Sequence, residues 1–367
     1  MIRTGISDSA AVKCIVMQGA ETRRDLCNCL GLSKAAVTQI VNRLIEKKVV
    51  VEGKRFNDNK FGRKTTMLKV RPDIAYFLGT DLEGLAVRAC LLDCEKNVVA
   101  SGKRSVVPKW SQSRIAHQWL SLIEDVIANS NISIDKIVCM GVGLPGVIAK
   151  DGFKTRAYLP PGQWVDFNAG EILREIGLPI SAMNNVGCIS EYERKFGAAK
   201  GFDDFISLMI RYGIGVSIYS GGSVANGRVL VGELGHMRID LKGPECICGQ
   251  RGCLDVFASG RTWSVDKFKS HTALNRQLNS RGRYIGIGLS NLLKIFHPPL
   301  VIVNGIYNGY EDLIKPVIIN TLEDELGRLN LSVPKVVFGE PIELKTSIGA
   351  AMQAVDIFFE QYLVDKV

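Results

Sequence analysis

No apolar run among the 367 residues reaches the ~18 that a membrane helix needs, and no charged-then-apolar leader opens the chain. Neither a membrane span nor an export signal is expected, so the protein is assigned to the cytoplasm. Excess charge is also lacking. Charged residues make up 23% and hydrophobic ones 46%, which excludes general disorder and leaves material for two or three domains with sizeable cores. Beyond residue 72 there is no net charge, with 31 basic and 31 acidic side chains. Residues 1–72 hold 15 basic and six acidic ones, so they carry the whole net charge of +9. An anionic partner is expected for that fifth alone, and nucleic acid leads the candidates.

A chain without an export signal is not expected to build a disulfide framework from its ten cysteines. Seven of them are dispersed (Cys14, Cys27, Cys29, Cys90, Cys94, Cys139 and Cys188) and read as small core hydrophobes. Three cluster as Cys246, Cys248 and Cys253, which reads as a metal site.

The basic segment has the grammar of a winged helix-turn-helix. Ala10 to Gln18 is apolar at helical spacing and stops at Gly19. Thr22 and Asp25 mark a helix start, and that helix runs to Gly31. Ser33 can cap the next helix, Lys34 to Lys48, with Val37, Ile40, Val41, Leu44 and Ile45 on one side. Lys34, Thr38, Gln39, Asn42 and Arg43 remain on the other side, which would enter the major groove. Strands Val49 to Glu52 and Thr65 to Val70 would flank a basic wing carrying Lys54, Arg55, Lys60, Arg63 and Lys64 for phosphate contacts.

The rest reads as α/β. Three short strands over Phe77 to Val106 predict an antiparallel meander; a helix (Ser113 to Asn129) and a buried strand (Lys136 to Val142) follow. Sharp turns are expected at Gly143 and at Leu144-Pro145-Gly146. The strand–glycine turn–strand theme returns over Phe205 to Tyr219 around Tyr212-Gly213, with a further strand expected over Ala225 to Arg228. Two similar lobes with a ligand cleft are the economical arrangement.

In the knot, His236 precedes Cys246 by ten residues, and Cys248 and Cys253 complete a Cys-x-Cys-x4-Cys pattern turned by Gly249 and Gly252. One imidazole and three thiolates suit tetrahedral zinc with no open position, hence a structural metal.

The segment GELGHMRIDLKGPECICGQRGCLDVFASG (232–260) resembles the ROK family, which groups sugar-responsive repressors with sugar kinases on an actin-like two-lobe fold. GVGLPG (141–146), LPPGQWVDF (159–167), MNNVGCISEYERKFGAAKG (183–201) and SIGAAMQA (347–354) extend the resemblance over essentially the whole chain. The fold expected is a winged helix-turn-helix followed by a two-lobe actin-like ATPase body. Its domains would be 1–72, then 73–184 with 346–367 as the first lobe, and 185–345 as the second lobe with the zinc site and oligomer contacts.

The resemblance implies structural zinc on His236, Cys246, Cys248 and Cys253. It also implies a sugar site of Asn184, Asn185, Glu233, His236 and Asp255, floored by backbone at Gly84 and Pro145-Gly146. His236 would bind zinc through one nitrogen and a sugar hydroxyl through the other. Asp255 stands where the family more often has Glu, one methylene longer. Trp164 reads either as a pocket-mouth residue or as lobe packing.

The kinase parts are degraded. Asn185 replaces the general-base Asp, and an amide has no proton affinity near neutral pH. Asp81-Leu82-Glu83-Gly84-Leu85-Ala86 replaces the first phosphate loop, losing its Thr and Lys. Arg211-Tyr212-Gly213 and Val303-Asn304-Gly305 replace the other glycine-rich turns. The expected function is therefore a non-enzymatic DNA-binding repressor of carbohydrate-metabolism genes that binds operator DNA, answers to a sugar or sugar-phosphate effector, uses no ATP and assembles as a homodimer or homotetramer. Two alternatives stand beside it: a sugar kinase with an appended DNA-binding domain, and a repressor controlled by a protein partner.

Overall fold

The computed structural model describes residues 4–56, 65–83, 85–107, 110–148, 153–159, 163–221, 230–264 and 270–366. Three helices open the chain: α1 (Thr4–Gln18), α2 (Arg23–Leu30) and α3 (Lys34–Glu46). Helix α1 starts six residues before the apolar stretch that signals it. Thr22 caps α2 by accepting from the Asp25 N–H at 3.1 Å, and Gly31 ends it in the left-handed region (φ 65°). Strands β1 (Val50–Phe56) and β2 (Thr65–Val70) pair antiparallel, with a register irregularity between Glu52 and Arg55. Residues 57–64, which include Lys60, Arg63 and Lys64, lie outside the described residues.

Two dispersed cysteines depart from expectation. Cys14 of α1 and Cys29 of α2 form a disulfide, their Cα atoms 6.4 Å apart. Compartment arguments from sequence cannot see that two helices bring a particular pair into register. The bridge closes a separation of 15 residues. Reductant, or Cys14→Ser, is expected to lower the stability of the three-helix module by up to about 3 kcal/mol. Thermal melts with and without reductant check this; identical melts would show that the bridge carries no stability. The other expectations hold for Cys90, Cys94, Cys139 and Cys188, all buried, whereas Cys27 is half-buried. Burial pushes the Cys94 thiol up to about 12 and those of Cys90 and Cys139 higher still, so none is a thiolate near neutral pH.

The contacts divide the chain into two compact units, residues 1–157, 166–183 and 350–367 in one, and 158–165 with 184–349 in the other. Beyond the winged helix, the first unit holds β3 (Tyr76–Glu83), β4 (Ala86–Leu92), β5 (Val98–Ser105), α4 (Gln112–Ser130) and β6 (Ile137–Leu144). Short strands β7 (Val147–Ile148), β8 (Lys154–Leu159) and β9 (Gln163–Asn168) form a small sheet, followed by α5 (Ala169–Leu173) and β10 (Ile180–Asn184). The five-stranded sheet runs β10-β6-β3-β4-β5; β3, β4 and β5 form the antiparallel meander and β6 pairs parallel with β3. Gly143 and Leu144 stay in β6, so the expected turn at Gly143 is not formed, while the expected turn that includes Gly146 is (φ 74°). Trp119 of α4 is fully buried, and its indole N–H donates to Thr80 Oγ1 at 2.5 Å.

The second unit holds α6 (Asn185–Lys195), β11 (Phe205–Ile210), β12 (Ile214–Tyr219), β13 (Leu230–Gly232), α7 (Leu254–Ala258), α8 (His271–Leu293), β14 (Leu300–Gly305), α9 (Glu311–Gly327) and β15 (Lys335–Phe338). Helix α10 (Lys345–Lys366) begins there and continues into the first unit. The sheet order is β13-β12-β11-β14-β15. An antiparallel hairpin (β11–β12) is again joined by a parallel neighbour (β14), which is the repeat the glycine turns suggested. The expected strand Ala225 to Arg228 lies outside the described residues. Leu208, Val216, Ile285, Leu289, Val303 and Ile318 are among the residues of this unit's core.

Candidate functional sites

In α3, Ser33 Oγ accepts from the Ala36 N–H at 3.3 Å and sets the helix start. Val37, Ile40, Val41 and Leu44 are buried. Ser33, Lys34, Thr38, Gln39 and Asn42 are exposed together along the opposite side. Thr38 donates to the Lys34 carbonyl at 2.7 Å, which orients its methyl and hydroxyl. Arg43 behaves differently: its Nη2 and Nε lie 2.6 and 3.4 Å from the carboxylate of Asp8, an almost fully buried residue of α1. Arg43 therefore ties α3 to α1. Asp8, the one acid of α1, was the signal that sequence reading passed over.

The knot assembles as its sequence suggested. His236, Cys246, Cys248 and Cys253 offer one ligand atom each, all within 4.8 Å of one another. Cys246 Sγ lies 3.5 Å from His236 Nδ1, and Cys248 Sγ lies 3.7 Å from Cys253 Sγ. The backbone is wound to permit this. Gly252 adopts φ 69°, and a methyl group there would collide with the Asp240 carbonyl. Cys246 N–H donates to the Gln250 carbonyl at 2.7 Å, and Gly252 N–H to Pro244 at 2.8 Å. These four residues could hold a tetrahedral metal ion. Nδ1 of His236 faces the thiols, which leaves the Nε2 edge of the ring on the other side.

Glu233, His236 and Asp255 lie together beside that knot. Burial pushes the Asp255 carboxyl up, while Arg261, His236 and the Ile214 N–H pull it back. Glu233 keeps much of its chain exposed, yet partial desolvation of its carboxyl raises its pKa; the His236 charge opposes this and that of Asp255 adds to it. Asn184 caps α6, its Oδ1 accepting from the Val186 N–H at 2.8 Å, and buried Asn185 is the first residue of that helix. Helix α6 packs on β12 and β13, the strand that leads into Glu233. Gly84 and the side chain of Trp164 lie outside the described residues; Pro145 and Gly146 stand between β6 and β7 in the first unit.

The segments that sequence reading set against the kinase phosphate loops make contacts within the protein. Asp81 is fully buried, with Arg88 Nη1 3.1 Å from its Oδ2. Glu83 is buried as well. At the β11–β12 turn, the Arg211 carbonyl accepts from Gly260 N–H at 2.6 Å, and the Arg261 guanidinium lies 5.0 Å from the centre of the Tyr212 ring. Near the end of β14, Asn304 Oδ1 accepts from Lys345 Nζ at 3.0 Å, and Lys345 forms a buried ion pair with Glu193 at 2.6 Å. Arg88, Arg261 and Lys345 carry no motif, so sequence reading missed them.

A family model described as "ROK family" matches residues 77–351. The xylose repressor of Bacillus subtilis is 27% identical, over 88% of this chain and 86% of the repressor. The regulator NagC of Escherichia coli is 23% identical, over 94% of this chain and 91% of its own. Among solved structures, a ROK family transcriptional regulator homologous to E. coli MLC covers 99% of this chain and 97% of its own at a TM-score of 0.73 and 21% identity. A ROK glucokinase from Streptomyces griseus, solved with glucose and AMPPNP, covers 77% of this chain and 100% of its own at 0.63 and 21%.

Proposed function

The chain belongs to the ROK family, and on that premise we propose that it is a transcriptional repressor of carbohydrate-metabolism genes, with α3 reading operator DNA and the Glu233–His236–Asp255 site binding a sugar effector. The observation that carries this reading is the pairing of two features in one chain: an exposed polar face on α3 within the segment that bears the entire net charge, and buried ion pairs at Asp81 and Glu193 in the kinase-like body. Residues 1–72 act as the DNA-binding part, and residues 73–184 with 346–367 and 185–345 as the two lobes of the sensor.

Lys34, Thr38, Gln39 and Asn42 face base edges, while the wing contacts phosphates. Palindromic operators need two copies of a winged helix, so a homodimer or homotetramer is the working form. An effector releases or promotes DNA binding only to the extent that it binds one arrangement of the protein more tightly than the other.

Zinc fits the knot. With Zn–S near 2.3 Å and Zn–N near 2.05 Å, tetrahedral angles place sulfurs about 3.8 Å apart and a sulfur about 3.6 Å from the nitrogen. The spacings of 3.7 and 3.5 Å agree. Four protein ligands make the ion structural: it would hold the loop that bears His236 and, through Cys253, the start of α7 that bears Asp255. His236 would ligate through Nδ1 and donate from Nε2 to a sugar hydroxyl.

Operator binding is the test. Fluorescence anisotropy with the full chain should show steep salt dependence, as expected of phosphate neutralisation. Gln39→Ala or Asn42→Ala should cost about 1–3 kcal/mol on operator while leaving random DNA nearly unchanged. Arg43→Ala should instead destabilise the helical module by breaking the Asp8 tie. Equal loss on operator and random DNA for Gln39→Ala and Asn42→Ala would remove α3 from base readout.

A further inference from the structure

Asp8 keeps only 4% of its side chain exposed, and a buried carboxylate is costly unless a cation meets it. Two cations do, both from the end of α3. Arg43 Nη2 lies 2.6 Å from Oδ1 and its Nε 3.4 Å from Oδ2, while Lys47 Nζ lies 3.8 Å from Oδ2. Two cations on one acid leave this corner with more positive charge than neutralising Asp8 requires. The acid also takes only one edge of the guanidinium, that of Nε and Nη2. Nη1 makes no hydrogen bond among the described residues and is not one of the unpartnered polar atoms that the fold buries, and 36% of the Arg43 side chain is exposed. Its donors therefore face solvent.

The position of that free edge along α3 gives it a target. Gln39, Arg43 and Lys47 follow one another at four-residue spacing, so they line one strip of the helix. Each step advances about 6 Å along the axis, and the major groove is about 12 Å wide. A recognition helix touches base edges with its N-terminal residues. With Gln39 on a base, Arg43 and Lys47 arrive at the wall of the groove, where the phosphates stand. A planar fork suits phosphate oxygens, and a fork already fixed along one edge loses little freedom when the other edge binds.

We propose that Asp8 is a positioning residue for DNA binding: from α1 it aims the Arg43 guanidinium at a backbone phosphate beside the bases that α3 reads. This rests on the reading of α3 as the DNA-contacting helix. Arg43 then belongs with the residues that hold the duplex in register, not with those that discriminate bases, and the orientation of a contact made by α3 is set by a different helix.

Anisotropy titrations of the full chain over a range of salt test it, with a duplex that the chain selects from a random pool and a shuffled duplex of the same composition. Arg43→Gln should weaken both duplexes by the same factor, about 10-fold, the lower end of the worth of a hydrogen bond to a charged group. It should also flatten the salt slope by about 0.9, the share of one phosphate. Asp8→Ala should weaken both by about 2- to 12-fold, the cost of ordering one long side chain, with the slope retained because Arg43 keeps its charge. In the Arg43→Gln background, Asp8→Ala removes only a negative charge and should weaken neither duplex. Melting curves identify the folded variants; if Asp8→Ala melts below the assay temperature, Asp8→Asn, which keeps the volume, replaces it with the same expected sign. A slope unmoved in Arg43→Gln would show that Arg43 only ties α3 to α1 and overturns the proposal. Loss confined to the selected duplex makes Arg43 a base reader and overturns it too, as does full affinity in Asp8→Ala. Gln39→Ala run alongside keeps the two claims apart: equal loss on both duplexes removes base readout by Gln39 while the Asp8–Arg43 claim stands on its slope. A full chain that binds neither duplex overturns both.

Discussion

Cys248→Ser is expected to empty the knot and collapse the effector response. Structural zinc sites bind with an apparent ~10–16 kcal/mol in small zinc-dependent folds, which rivals the ~5–15 kcal/mol stability of a whole domain. Cys246, Cys253 and His236 would be left one ligand short of a closed site, and Gly249 and Gly252 would leave the loop with little of its own to hold it. The substitution should therefore lower metal content from about one ion per chain to a small fraction. It should also lower the melting temperature of the second unit and abolish sugar-dependent change in operator binding. Elemental analysis beside calorimetry checks this. A metal-free preparation that melts normally and still answers to sugar would show that the four donors are ordinary thiols and an imidazole.

ADP release should stay at background when the protein is mixed with ATP, magnesium and a panel of hexoses, pentoses and amino sugars. Phosphoryl transfer needs a base, a metal-bearing carboxylate and a phosphate cradle. Asn185 heads α6 with an amide where the family's kinases have a carboxylate. Asp81 is paired with Arg88 inside the sheet. The β11–β12 turn is docked on Gly260 and flanked by Arg261. Loss of a general base alone costs about 10²–10⁴ in rate, so a trace activity could survive that one change. Loss of positioning removes the remainder. Asn185→Asp alone should accordingly restore no turnover, because Arg88 and Arg261 stay in place. Turnover near the ordinary ~1–100 s⁻¹ of kinases would return the chain to the enzymatic branch of its family.

Both experiments bear on residues of different legibility. The knot was readable because ligands, spacing and turning glycines lie within one short segment, and local backbone geometry nearly determines how such a segment closes. The recognition helix was readable for the same reason: Ser33 caps, the apolar positions repeat at helical spacing, and the polar face is what remains. The repeated strand–glycine turn–strand unit likewise announced two sheets of like construction.

The partners of the charged groups were not readable. Asp8 with Arg43, Asp255 with Arg261 and Glu193 with Lys345 are 35, six and 152 residues apart, and no periodicity links them. Even the short separation in Asp255 and Arg261 spans a helix end and a turn, so its geometry depends on Arg281 from another helix. The pairing of Cys14 with Cys29 belongs to the same class.

The sequence by itself determined what is set by neighbours along the chain: the helix-turn-helix, the His–Cys cluster, the charge confined to one end, and the amide of Asn185 at the head of α6. Only the tertiary structure decided which buried charges neutralise one another, because that depends on packing between distant elements and on the cost of leaving a charge without a counter-ion in a low-dielectric interior. That cost is why Asp255 turns to Arg261, a residue that no motif contains.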